Sequence, residues 1–253
     1  MKQKFNTLIS LVLLFTFFQG SPIAEDNARE IVARSESNIR GKTSESDVSI
    51  IIERPSWKRE MGVHSWTKGT KYSMILLTSP AKEKGIVYLK CDKEVWNYIP
   101  SIERVIKLPP SMMSQSWMGT DFTNDDLVKE ASAADDYTHT LSGKETIAGR
   151  ECYRIEMIPK PTTAVVWGKV IVWIDVKDYL QLRAEFYDED GGKVNTMECS
   201  EIRTMGGRTI TTRMEMIPAD KKGYKTILIY NSIAFDKEIA QDFFSTKNIK
   251  NVK

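Results

Sequence analysis

The sequence predicts a mainly β protein built around one curved antiparallel sheet, with a few helices lying across its apolar concave face. Two observations lead to this fold class. About ten extended segments follow one another between Val48 and Ala234, and several alternate apolar and polar residues. Turn sequences such as Asp190-Gly191-Gly192 and Gly206-Gly207 separate them. A long run of hairpins with few helices favours an up-and-down sheet that curls to protect its edges.

The first residues have the layout of a secretory signal peptide. Two lysines precede the apolar run at residues 8–18, and small residues follow it. The run is too short to cross a bilayer, and cleavage after Gly20 or after Ala24 fits the pattern. We therefore predict a signal peptide at residues 1–24 and a single mature domain at residues 25–253 that is exported to the periplasm.

An amphipathic helix is predicted next, over residues 25–40. Its apolar residues, among them Ile31 and Val32, share one face, and Gly41 ends the pattern. The period then changes to two, which indicates strands. In the first half we predict them at residues 48–53, 60–68, 71–78, 86–91, 95–99 and 103–108.

The second half is a run of predicted hairpins. Clean alternation indicates that one face is buried and the other is wet. The clearest alternating sets are Leu180, Leu182, Ala184, Phe186 and Ile210, Thr212, Met214, Met216. Strands are predicted at residues 137–142, 146–147, 150–159, 168–175, 180–188, 193–203, 208–217 and 224–234.

Residues 111–128 (SMMSQSWMGTDFTNDDLV), here called the methionine-rich segment, are apolar without a regular period. The apolar side chains are Met112, Met113, Trp117, Met118 and Phe122, interrupted by small polar residues. Pliable methionines and flat rings suit a surface that closes over an apolar ligand of variable shape. The same composition also fits a plug that fills the core. Both interpretations stay open at this point.

Charge and motif content narrow the possible functions. The chain has 36 basic and 34 acidic side chains, and this balance argues against a nucleic-acid binder. Its two histidines, His64 and His139, are far apart, and no hydrolase, P-loop or metal-binding motif is present. Acidic pairs such as Asp125-Asp126 fit helix caps better than an acid/base dyad. We expect no catalytic residues, no metal site and no cofactor.

The three cysteines, Cys91, Cys152 and Cys199, all lie in predicted strands. We interpret them as small buried apolar residues, with a Cys152–Cys199 bridge as the alternative.

Three stretches resemble a known family. Residues 92–100 (DKEVWNYIP) resemble the Asp-x-x-x-Trp-x-Tyr-x-Pro segment of LolA-like outer-membrane lipoprotein-sorting proteins. Residues 115–127 (QSWMGTDFTNDDL) are similar to the signature of a larger branch of that family. Residues 168–192 (GKVIVWIDVKDYLQLRAEFYDEDGG) are similar to the same branch. The resemblance covers nearly the whole mature chain.

The resemblance implies a half-open antiparallel β-barrel, with helices as a lid over an apolar cavity that accepts acyl chains. Family members carry lipoproteins, or bind related lipids, between the inner and outer membranes without a cofactor. The best-known carriers have an Arg-Pro whose arginine holds the lid. Here Arg54-Pro55 follows the first predicted strand rather than the second.

We therefore expect a periplasmic carrier or chaperone for outer-membrane lipoprotein sorting. Its expected partners are lipoprotein acyl chains or another amphiphilic lipid, an inner-membrane exporter complex and an outer-membrane acceptor, and the chain itself is expected to be a monomer. The alternative is a lipid-sensing accessory protein of an envelope complex or exporter. An enzyme acting on envelope lipids would lack a residue set to carry the chemistry. The candidates for the cavity and lid are Trp66, Trp96, Tyr98, Met112, Met113, Trp117, Met118 and Phe122.

Overall fold

The computed structural model describes residues 23–129 and 132–252, and their dominant feature is a thirteen-stranded antiparallel sheet. The strands of the first half are β1 (Thr43–Arg54), β2 (Trp57–Lys68), β3 (Tyr72–Ser79), β4 (Val87–Cys91), β5 (Glu94–Ile99) and β6 (Arg104–Lys107). Those of the second half are β7 (Tyr137–Ile147), β8 (Arg150–Pro159), β9 (Lys169–Asp175), β10 (Gln181–Tyr187), β11 (Lys193–Met205), β12 (Arg208–Pro218) and β13 (Lys225–Phe235).

The order of the strands joins the two halves of the chain through its first and last strands. The order is β6-β5-β4-β3-β2-β1-β13-β12-β11-β10-β9-β8-β7. Residue Ser44 of β1 pairs with Phe235 of β13, and Glu53 pairs with Lys225. Strands β6 and β7 are not paired with each other, so the curved sheet is an open barrel rather than a closed one. The predicted mainly β fold class is confirmed.

In the described part of the chain, two α-helices accompany the sheet. Helix α1 (Ile23–Arg40) places Ala28, Ile31 and Val32 in a buried cluster with residues of β8 and β9. Helix α2 (Ala133–Asp136) begins at Ser132, whose side chain accepts a hydrogen bond from the Asp135 N–H. The face of the sheet that carries α1 is called the inner face below.

The inner face holds two hydrophobic clusters. The first combines β1–β4 with the methionine-rich segment, and it includes Ile50, Ile52 and Trp117. The second combines α1 with β7–β10, and it includes Ile155 and Val172.

The outer face of the first half is also covered. Phe244 and Ile249 of the C-terminal segment pack there against Met74, Leu76 and Leu89. Both faces of β3 and β4 are therefore buried, as the long buried stretch in β3 shows.

The alternation predicted for residues 180–186 differs at two positions. Ala184 packs with the inner cluster, whereas Leu180 and Leu182 pack with Ile171 and Trp173 in an outer one. The register between β10 and β9 shifts between Gln181 and Arg183. A β-bulge at this point turns Leu182 to the opposite face, because an extra residue reverses the alternation.

The predicted signal peptide lies outside the described residues except for Ile23 and Ala24, which begin α1. Among the described residues, no helix combines the length and the apolar character needed to cross a bilayer. All three thiols are free, with Cys152 and Cys199 buried and Cys91 half-buried.

Candidate functional site

The methionine-rich segment lies on the inner face with its apolar side chains turned inward. Met113, Trp117, Phe122 and Val128 are buried in the first inner cluster, and Trp117 is only 1% exposed. The Trp117 ring lies 5.7 Å from the Tyr88 ring, and the Tyr88 hydroxyl donates to Met118 Sδ at 3.3 Å. In this arrangement the segment fills the space above β1–β4.

The Trp117 indole is packed but not fully satisfied. Its Nε1–H is buried, and no acceptor lies within hydrogen-bond distance among the described residues. A buried donor without a partner costs about 1–3 kcal/mol. The burial of Trp117 therefore contributes less to the free energy of folding than its buried apolar area alone suggests.

Two arginines anchor the middle of the segment. Arg54, at the end of β1, forms a bidentate ion pair with Asp121, at 2.9 and 3.1 Å, and also donates to the Gly119 carbonyl at 3.1 Å. Both ion-pair side chains are 7% exposed. Arg59 donates to the Met118 carbonyl. The backbone turns sharply here, since Met118 and Gly119 have φ angles of 51° and 80°.

Asp121 also ties the segment to the second half. The Thr226 hydroxyl of β13 donates to the Asp121 carboxylate at 2.7 Å and accepts from the Asp121 N–H at 2.9 Å. The Arg54 guanidinium in turn lies 5.7 Å from the Trp57 ring and 4.9 Å from the Tyr224 ring. Although Arg54 follows the first strand, it holds this segment in place.

A π-helix (Asp125–Lys129) ends the segment, with the acidic pair Asp125-Asp126 in its first turn. The Asp126 carboxylate accepts hydrogen bonds from the Thr123 N–H and hydroxyl, both at 2.8 Å. In return, the Thr123 hydroxyl oxygen accepts a hydrogen bond from the Asp126 N–H at 3.1 Å. Asp126 also accepts from the Trp167 Nε1–H at 2.8 Å. Burial raises the pKa of Asp126 above its usual range.

A central cavity of about 340 Å³ lies between the two inner clusters. This volume is within the range typical of small-molecule pockets. Its apolar lining comes from the methionine-rich segment and from β8–β13, and consists mainly of Phe122, Leu127, Met157, Trp167, Val170, Ala184, Phe186, Met197, Met214, Met216 and Leu228. The polar part of the wall includes hydroxyl groups, where Ser44 bonds Thr67 at 2.7 Å and Ser46 bonds Ser65 at 2.8 Å. It also includes Arg40, Asp125, Asp126 and Gln181.

A lateral groove of about 780 Å³ lies at the open side of the sheet. Charged residues of the first half line one wall, namely Lys71, Lys90, Asp92, Lys93, Glu94 and Lys107. The loop at residues 162–166 lines the other. Lys90 is nearly buried and donates to the Thr70 carbonyl at 2.6 Å.

The structure separates the sequence-predicted site residues into two groups. Met112, Met113, Trp117, Met118 and Phe122 lie together on the inner face, and Phe122 lines the central cavity. Trp66, Trp96 and Tyr98 pack on the outer face, with Trp66 against Phe243 at 5.3 Å between ring centroids. The alternation of β2 explains this placement, because Ser65 and Thr67 line the cavity and Trp66 between them points away.

Sequence reasoning missed most of the cavity wall contributed by the second half. The alternation of β12 predicts Met214 and Met216 on one buried face but does not identify them as cavity residues. Trp167 is one of six tryptophans that could either line or fill an interior, and Met157 has no separate indication in the sequence. Following the buried faces of the second-half strands would have found part of this set. Within residues 23–129 and 132–252, no group of three His, Cys, Asp or Glu side chains could hold a metal ion.

Comparisons place this fold among known proteins. A family model described as "Uncharacterized protein" matches residues 69–251, and the chain belongs to that family. No curated protein matches the sequence.

Three solved structures share the fold over nearly their whole length. A DUF1329 family protein from Desulfovibrio piger is 22% identical, with a TM-score of 0.81, and the alignment covers 89% of this chain and 99% of that one. A protein from Vibrio parahaemolyticus, described as an outer membrane lipoprotein-sorting protein domain, is 19% identical, with a TM-score of 0.79 and coverage of 89% and 99%. A LolA superfamily protein from Nitrosomonas europaea is 23% identical, with a TM-score of 0.76 and coverage of 87% and 98%. The predicted LolA-like fold is confirmed.

Proposed function

We propose that the protein is a periplasmic carrier that binds acyl chains of lipoproteins or related lipids in the central cavity. The observation that carries this proposal is the cavity itself, about 340 Å³ in volume and lined mainly by methionine, aromatic and aliphatic side chains. Each acyl methylene buried there contributes about 0.8 kcal/mol. Methionine side chains adapt to chains of different length and branching.

The methionine-rich segment is the proposed cover of this cavity. Its Phe122 lines the cavity, while Met113 and Trp117 pack beside it in the first inner cluster. Polar contacts at Gly119 and Asp121 hold the segment to β1 and β13. Displacement of the Trp117 side chain would also release a buried N–H that has no acceptor. In this proposal the methionine-rich segment fills the core when the cavity is empty and covers the cavity when an acyl chain is bound.

The resemblance to LolA-like proteins and the fold of the three solved structures support carriage of lipid-modified cargo across the envelope. A carrier must release its cargo, so uptake and release should both be measurable. Exchange of a labelled lipopeptide between donor and acceptor vesicles distinguishes a carrier from a lipid sensor, because a sensor binds without handing cargo on.

The decisive test fills the cavity from a small wall residue. Ala184 is 1% exposed and lines the cavity, so Ala184→Phe should occupy part of its volume. Loss of space for two methylenes predicts about tenfold weaker binding of a fluorescent long-chain acyl probe. Ala234→Phe is the matched control, because it adds the same ring at a half-buried position that does not line the cavity.

Native mass spectrometry of protein released gently from the periplasm provides the second measurement. We expect an adduct with the mass of a lipid or lipopeptide in the wild type and a reduced adduct in Ala184→Phe. Equal probe affinity in the two phenylalanine variants, with both folded by circular dichroism, would exclude the central cavity as the binding site.

A further inference from the structure

We infer that one end of the barrel docks on an anionic membrane surface. Three turns meet at this end: residues 55–56 between β1 and β2, residues 80–86 between β3 and β4, and residues 219–224 between β12 and β13. A Cβ added to Gly223 would lie 3.4 Å from the Pro55 side chain, so the first and third turns touch. The ion pair between Arg59 and Glu83, at 3.4 Å, ties the second turn to β2.

The tip of this end exposes a large aromatic ring. Trp57, the first residue of β2, is 51% exposed, whereas Trp117, Trp167 and Trp173 are buried. The Arg54 guanidinium lies near the rings of both Trp57 and Tyr224, and links these two aromatic side chains across the turns. Tryptophan and tyrosine rings are enriched at membrane–water interfaces, where an apolar body and a polar edge both find partners.

Exposed lysines lie on the same turns and their flanks. They are Lys58, Lys82, Lys84, Lys221 and Lys222, against which the same turns and their flanks carry Glu53, which pairs with Lys58 at 3.2 Å, and the exposed Glu60 and Asp220. Apart from the ion pairs of Arg59 with Glu83 and of Lys225 with Glu215, the three turns and their flanks carry five lysines against three carboxylates. The neighbouring β10–β11 turn, which exposes Asp188, Glu189 and Asp190, bounds this basic patch. Lysines near an anionic leaflet each contribute about 1 kcal/mol. The combination of exposed tryptophan and lysines is complementary to a bilayer of anionic phospholipid rather than to an apolar protein groove.

The tip lies close to the polar contacts that hold the methionine-rich segment. Arg54, which lies beside Trp57, also holds Asp121 of the methionine-rich segment. A membrane bound at the tip therefore lies next to the anchor of the segment. The docking surface is separate from the cavity, so membrane docking and cargo binding can be tested independently.

Vesicle co-sedimentation with the full chain tests this inference. Vesicles of phosphatidylglycerol and phosphatidylethanolamine should bind the protein at low salt, vesicles of phosphatidylcholine should bind it much less, and added salt should weaken the binding. The double variant Lys221→Gln/Lys222→Gln should bind the anionic vesicles roughly thirtyfold more weakly. The matched control, Lys247→Gln/Lys250→Gln, removes two exposed lysines of the C-terminal segment and should bind like the wild type.

The aromatic contribution is tested separately. Trp57→Ala should weaken vesicle binding, whereas Ile202→Ala, which truncates another exposed apolar residue, should not. Brominated lipids should quench tryptophan fluorescence of the wild type but not of Trp57→Ala. The lysine variant should still bind the acyl probe, which separates a failure of docking from a failure of the proposed carrier function.

Absence of binding to anionic vesicles, or equal binding by the Lys221/Lys222 and Lys247/Lys250 variants, would overturn the inference. Binding to native inner-membrane vesicles that is lost after protease treatment, without binding to pure lipid, would assign the tip to a protein partner and overturn it as well.

Discussion

The ion pair between Arg54 and Asp121 should set the energy needed to move the methionine-rich segment. We expect Arg54→Met to lower the free energy of unfolding by about 3–5 kcal/mol, because it leaves a nearly buried carboxylate without its cation. The Thr226 hydroxyl still donates to Asp121, which favours the lower end of this range. The loss should be visible as a lower denaturation midpoint in urea with an unchanged slope.

A double-mutant cycle separates the pair from its surroundings. Arg54→Met combined with Asp121→Leu removes both charges, so it should cost less than the sum of the two single changes. Arg150→Met is the matched control, because Arg150 makes a bidentate pair with Asp175 at 2.9 Å in the other half of the sheet. It should lower stability without changing the segment.

The segment itself is followed by hydrogen exchange and by the rate of acyl-probe uptake. Arg54→Met should speed exchange at residues 111–128 and raise the uptake rate, and Arg150→Met should do neither. An unfolding free energy within about 1 kcal/mol of the wild type would show that the buried pair contributes little. Equal exchange and uptake in the two arginine variants would show that Arg54 supports the fold without restraining the segment.

Two further predictions test the packing and the electrostatics. Trp117→Ala should lower the free energy of unfolding by about 3 kcal/mol, because truncating a buried aromatic ring usually costs 3–5 kcal/mol and removal of the unpaired N–H returns about 1 kcal/mol. Trp117→Phe, which keeps a ring, should change the free energy of unfolding by less than about 1 kcal/mol. A larger loss for Trp117→Phe than for Trp117→Ala would contradict the packing described above. Burial raises the pKa of Asp175, but the hydrogen bonds and the charge of Arg150, together with the backbone N–H groups of Asp178 and Lys177, outweigh it and hold that pKa below its usual range. The resulting stability is fully present above the unfolded pKa of about 3.9 and is lost as the pH falls through the lower folded pKa, so Asp175→Asn should flatten the acid limb of stability against pH below about pH 4. Urea midpoints measured from pH 7 to pH 2 check this, and identical pH profiles for the variant and the wild type would contradict it.

The sequence allowed the fold class to be predicted because strand alternation and turn residues are local properties. It could not show which face of each strand becomes concave. The C-terminal segment has only a short apolar run at residues 239–244, yet it buries the outer face of β3 and β4. For this reason Trp66, Trp96 and Tyr98 looked equivalent to Trp117 in the sequence, although they lie on the other side of the sheet.

The pairing of Arg54 with Asp121 could not be predicted either. The two residues are 67 positions apart, and no local pattern links a strand-end arginine to an aspartate in an irregular loop. The outward turn of Leu182 has the same kind of cause, because the bulge in β10 depends on its pairing with β9.

The buried state of the methionine-rich segment is compatible with a role as a cover. An acyl chain that enters beneath it would take over the apolar contacts that Met113 and Trp117 now make, so little apolar surface would become exposed overall. For the side chains of the segment, the hydrophobic contributions of the empty and loaded states would then largely cancel, and the net gain would come from the buried acyl methylenes. The polar contacts of Arg54, Asp121 and Thr226 have no such replacement in an acyl chain, and their retention or loss decides how far the segment moves. In the proposed carrier, a cover of this kind would be packed like a core when empty, and its polar anchors, rather than its methionines, would determine when it opens.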